Sequence, residues 1–136
     1  MTDNDYMEVL YNECYGGWKL SDKILKEYEK RMKEKNPEYV LMKYHIKRHD
    51  EILVELYHEM TPEFQGASKN SYIKSDEIEK KYKDYYRIKE YDGLESVKIR
   101  YYKYNYDTLL NKLKDILTSE KTNDEKIKDI KDYVNK

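Results

Sequence analysis

The run Lys98-Ile99-Arg100-Tyr101-Tyr102-Lys103-Tyr104-Asn105-Tyr106 holds the residue types best suited to recognising a partner. Read as a strand, it interleaves cations with aromatic rings, and three kinds of surface use that pattern. Lys98, Arg100 and Lys103 can meet phosphates while Tyr102, Tyr104 and Tyr106 stack on bases. Tyr and Arg also concentrate at protein interfaces. The third reading is a partly covered sheet face whose lysine stems lie over apolar surface with their ammonium groups in water.

Glu90, Asp92 and Glu95 are close enough in sequence for paired acid and base work. Asp92-Gly93, however, lies between two strand-like runs and tolerates the positive φ of a two-residue hairpin turn. That turn accounts for Asp92, and Arg48, Arg87 or a lysine can neutralise the other two. His45 and His49 are four apart, a zinc spacing only on a shared helix. The residues between them read as extended chain or helix entry, and no cysteine pair completes a site. Arg48-His49-Asp50 departs from the order of a kinase catalytic loop, so Asp50 reads as a helix N-cap. No G-x-S-x-G elbow appears, and four glycines provide poorly for a phosphate cradle. The expectation is no catalytic residue, no metal and no cofactor.

The elements that must position these residues are legible in outline. Met7, Val9 and Tyr11 alternate as in a short strand, which Gly16-Gly17 ends. Ser21 and Asp22 open a helix carrying Ile24, Leu25, Tyr28 and Met32, and Asn36-Pro37 stops it. Residues Tyr39 to Ile46 read either as a second strand or as an extended connector. Asp50 starts an amphipathic helix with Ile52, Leu53, Leu56, Tyr57 and Met60 on one face. Thr61 to Ser71 is a polar loop, and Tyr72 to Ile78 reads as a strand. A hairpin turning at Asp92-Gly93 follows, its return strand bearing Val97, Ile99 and Tyr101. Two helical stripes close the chain, Leu109 to Leu117 and Ile127 to Val134. The fold class is α+β: a small mixed sheet packed by amphipathic helices and closed by a C-terminal helical hairpin.

Composition bounds the rest. Seventeen tyrosines stand beside one Phe64 and one Trp18, so the aromatic bulk carries hydroxyls that need water or a partner. With 27 basic and 28 acidic residues, the chain is not a grossly polybasic nucleic-acid binder. The 136 residues suit a single domain, with 1–6 flexible and 107–136 as a helical extension. No apolar run is long enough for a bilayer, and the acidic N-terminus is unlike a signal peptide. The lone Cys14 has no internal disulfide partner, although pairing between two chains stays open.

Three segments resemble a family of short proteins of giant (nucleocytoplasmic large DNA) viruses. They are Cys14-Tyr15-Gly16-Gly17-Trp18-x-Leu20-Ser21, Arg48-His49-Asp50-x-Ile52-Leu53-Val54 and Tyr86-x-Ile88-x-Glu90-Tyr91-Asp92-Gly93-x-Glu95-Ser96-Val97. Their order and approximate spacing hold from about Met7 to Tyr104. Glu51 stands where the family often has proline, Gly66-Ala67-Ser68 scrambles its usual Ala-Ser-Gly-like turn, and Tyr72 to Ile78 is less apolar than its counterpart. The resemblance implies lineage and setting, the virion or the host-cell cytoplasm rather than secretion, and no mechanism. The expected function is a non-enzymatic interaction or virion-associated protein that self-associates as a homodimer, with other viral or host proteins as further partners. The alternative is nucleic-acid association through the Tyr/Lys/Arg-rich strand. No membrane partner is expected.

Overall fold

The structure is a computed structural model and describes residues 5–67 and 71–135. Residues 1–4 of the expected flexible terminus, and 68–70 of the expected polar loop, lie outside the described part. The chain divides into two compact units, one ending at Ile99 and one starting at Arg100.

In the first unit, β1 (Tyr6–Asn12) pairs antiparallel with β2 (Ile73–Glu79), Tyr6 opposite Glu79 and Asn12 opposite Ile73. β3 (Tyr86–Tyr91) pairs antiparallel with β4 (Leu94–Ile99). Among the described residues all the pairing is antiparallel, in two sheets of two strands, instead of one mixed sheet. β3 and β4 follow one another through a tight turn, whereas β1 and β2 pair across a long connection that contains two α-helices. Asp92 (φ 50°) and Gly93 (φ 89°) form the β3–β4 turn, with Tyr91 opposite Leu94. Positive φ at both residues matches the right-handed strand twist, which is why Asp-Gly works here.

Helix α1 (Asp22–Lys35) is capped by Ser21, whose hydroxyl accepts from the Ile24 amide. It ends one residue before Asn36-Pro37, as the proline requires. Helix α2 (Glu51–Glu59) is capped by Asp50, whose Oδ1 accepts from the Ile52 and Leu53 amides. Ile24 and Tyr28 of α1 meet Ile52, Leu53 and Leu56 of α2 in a core completed by Leu10, Leu20, Ile73 and Phe64. Tyr57 is half-buried beside it, ring edge to Phe64. The expected polar loop thus hides a core anchor. Thr61–Phe64 is a short 3-10 turn that drives the single Phe fully inside.

Of the two readings of residues 39–46, the connector holds and the strand does not: Tyr39 and Leu41 rest on the core, and Lys43–His45 is a 3-10 turn. Nor is Tyr101 to Tyr106 a strand. β4 stops at Ile99, and α3 (Tyr101–Thr118) takes the whole tyrosine run. Positions four apart repeat in both a strand and a helix, so Tyr102, Tyr106 and Leu110 satisfy either period. The leucines beyond extend the helical pattern, and helix propagates cooperatively through the tyrosines. In this second unit α3 is followed by α4 (Asn123–Val134), capped by the Thr122 hydroxyl on the Glu125 amide.

Candidate functional site

The first, second and third motif segments meet at the end of β1, around a residue that none of them contains. Asn12 is completely buried. Its side-chain amide donates to the Gly93 carbonyl at 2.9 Å and also to the Cys14 carbonyl. Its side-chain oxygen accepts from the Tyr72 amide at 2.8 Å. Its backbone N–H donates to Glu95 Oε1 at 2.8 Å. One side chain therefore ties β1 to the segment before β2, to the β3–β4 turn and to the Cys14 turn.

Glu95 sits beside it, 7 % exposed. Arg48 grips its carboxylate with two bonds, Nη1 to Oε1 at 2.7 Å and Nη2 to Oε2 at 2.9 Å. Such a fork is the strong, directional form of ion pair. The Arg48 guanidinium also lies 3.6 Å from the centre of the Trp18 ring, close enough for cation–π attraction. The Arg48 backbone carbonyl accepts from the Leu10 amide at 2.9 Å. Arg48 thus joins the Trp18 motif, the Glu95 motif and β1.

The glycines make this approach possible. A Cβ on Gly93 would stand 2.3 Å from the Tyr15 carbonyl oxygen and 2.9 Å from the Gly17 nitrogen. Gly93 is therefore pressed against the Tyr15–Gly17 turn, where any side chain would collide. Gly17 has positive φ (79°) but open space around it. Glu90 Oε1 accepts from the Gly93 amide and closes the hairpin turn.

Chemically, the cluster is closed. Three N–H donors occupy the two oxygens of Glu95, and Glu90, its partner across the register, serves the turn. Tyr28 donates its hydroxyl to Asp50 Oδ2 at 2.9 Å, and burial followed by this bond pushes the phenol pKa well up. Asp50 therefore serves both the α2 amides and Tyr28. Ser21 caps α1 and also donates to the Glu63 carbonyl. His49 Nδ1 lies 2.6 Å from the Tyr86 hydroxyl. Burial, then the charges of Lys83 and Lys47, hold the imidazole pKa below its ordinary value. Burial raises that of Tyr86. A neutral imidazole accepting from the phenol fits both shifts.

His45 belongs to the 3-10 turn and His49 precedes α2, so they share no helix. Among the described residues, no three His, Cys, Asp or Glu side chains are grouped to hold a metal, and no helix is long and apolar enough to cross a membrane. Cys14 is free and half-buried.

The run expected to recognise a partner is dispersed by the helix. Lys98 is the one exposed residue of β4, and Arg100 is the residue before α3. Tyr102 is 94 % exposed and Tyr106 62 %, while Lys103 pairs with Asp107 at 3.7 Å along the helix. Tyr104 is half-buried. Asn12 and Phe64 are the positions that sequence reasoning missed. Asn12 carries no local signal beyond a polar residue where an apolar strand ends, and Phe64 is masked by its polar neighbours. No known family model, curated protein or solved structure matches the chain.

Proposed function

We propose that this is a non-enzymatic interaction protein that self-associates as a homodimer through its C-terminal helices. Its setting, on this reading, is that of the giant-virus proteins its motifs resemble, in the virion or the host-cell cytoplasm. One observation carries the proposal. Tyr102, Tyr106, Leu109, Leu110 and Leu117 of α3 and Ile127 and Val134 of α4 are all exposed. Apolar patches beyond a few hundred Å² are uncommon on monomers, and two-fold closure is the usual remedy. The motif side chains with chemical potential, by contrast, are engaged inside the first unit, which supports scaffold roles for them.

Light scattering at micromolar concentration tests the reading: a dimer mass is expected, and a monomer mass refutes it. Protein abundance in purified virions, measured by mass spectrometry, tests the setting. The nucleic-acid alternative loses its strand platform at Tyr101–Tyr106. It would regain ground only from a mobility shift that falls steeply with salt.

A further inference from the structure

Trp18, held by Arg48, also lines a groove of about 330 Å³ in the first unit, together with Leu20, Leu25 and Tyr44. That volume suits one large side chain or a small ligand, and an apolar floor with few polar groups is typical of such sites. The apolar surface continues outside it. Along 39–44 the chain puts Tyr39 and Leu41 on the core and leaves Val40, Met42 and Tyr44 outward, Tyr44 88 % exposed on its 3-10 turn.

Lys19 and Lys43 also line the groove. Among the described residues neither has a carboxylate partner, and the Lys43 ammonium sits 5.0 Å from the Tyr44 ring centre. Asp22 is the one acid of the lining. It occupies the first turn of α1, where the helix dipole already favours an anion. Aromatic walls with uncompensated cations beside them complement an apolar side chain flanked by carboxylates. A nucleic-acid strand fits less well, since Asp22 would oppose its phosphates.

We infer that this groove docks an acidic peptide segment of a partner protein. An aromatic or aliphatic side chain of that segment fills the space between Trp18 and Tyr44, and its Asp or Glu residues meet Lys19 and Lys43. The inference concerns the first unit and stands independently of self-association through α3 and α4.

Trp18 is the single tryptophan of the chain, so its emission reports directly on the groove. A random peptide library panned against the full chain should enrich sequences that join Phe or Leu to Asp or Glu. A Trp-free synthetic version should shift the Trp18 emission saturably. Lys19→Glu with Lys43→Glu should weaken that binding about tenfold or more, and Tyr44→Ala should weaken it while leaving the unfolding midpoint unchanged. No enrichment, enrichment without acidic residues, or affinity unmoved by the charge reversal overturns the inference. So does a Trp18 shift on dilution of the chain alone, which assigns the groove to a second copy, or a shift produced only by single-stranded DNA.

Discussion

Gly93 and Gly17 both have positive φ, yet they constrain the chain for different reasons. At Gly17 a methyl group meets open space, so Gly17→Ala should cost only the left-handed backbone penalty, about 1–2 kcal/mol. At Gly93 the same change adds a backbone collision with Tyr15, and the loss in urea unfolding should be clearly larger; equal losses would remove the close approach from the account. Glu95 is the other residue with disproportionate weight. Glu95→Ala leaves the Arg48 guanidinium and the Asn12 amide without their acceptor, and truncating one partner of a buried pair costs about 3–5 kcal/mol. Replacing both partners by apolar residues should recover part of that loss, because no charge then remains buried. His49 sets a pH dependence. Its folded pKa lies below the ordinary 6.5, so between those values the unfolded chain binds the proton and the folded one does not. The contribution of neutral His49 is therefore present above about pH 6.5 and lost as pH falls through the folded pKa. His49→Asn should flatten the fall in unfolding free energy between about pH 7.5 and about pH 5.5; an unchanged slope would show that other groups carry it.

Helices α3 and α4 differ from α1 and α2 in what they leave uncovered. α1 and α2 bury Ile24, Tyr28, Ile52, Leu53 and Leu56, and Arg31 of α1 bridges to Glu59 of α2. In the second unit Ile116 is the one buried side chain among the described residues of the two helices. Leu117 is 59 % exposed and Val134 66 %. Exposed leucines of this kind add little to the stability of their own unit. Leu110→Lys with Leu117→Lys should therefore abolish the dimer in light scattering while leaving helical circular dichroism intact. Tyr102→Ala should weaken the dimer more than charge changes along Lys26 to Lys33, on the charged face of α1. If the lysine pair unfolds α3 instead, the stripe belongs to the core of its own unit and not to an interface.

For the molecule as a whole, the partition at Ile99 follows from where the core residues lie. Leu10, Leu20, Ile24, Ile52, Leu53, Leu56, Phe64 and Ile73 form one cluster, and Glu95 of β4 completes the polar network beside it. A chain ending at Ile99 therefore keeps every residue of that cluster together with Glu95. It should fold cooperatively, with Trp18 emission and denaturant midpoint close to those of the full chain, and it should be monomeric. Loss of the cooperative transition would show that the first unit depends on α3 and α4.

The sequence by itself determined the features whose cause is local. Ser21 and Asp50 cap helices because their side chains reach amides two or three residues on. Asp92-Gly93 turns a hairpin because both residues accept positive φ, and Ile52, Leu53 and Leu56 face inward because helical spacing puts them on one side. What only the tertiary structure decided depends on residues far apart in the chain. Asn12 contacts Glu95 across 83 positions and Arg48 reaches the same carboxylate across 47; no window of sequence contains either pair. Phe64 enters the core from a polar turn and meets Tyr57 of α2 ring edge to face, which neighbouring residues do not reveal. The tyrosine run at 101–106 satisfied two periods at once, and the helix that continues through the leucines beyond it selected the longer one, since each added residue extends an existing hydrogen-bonded ladder while a strand there would have needed a partner.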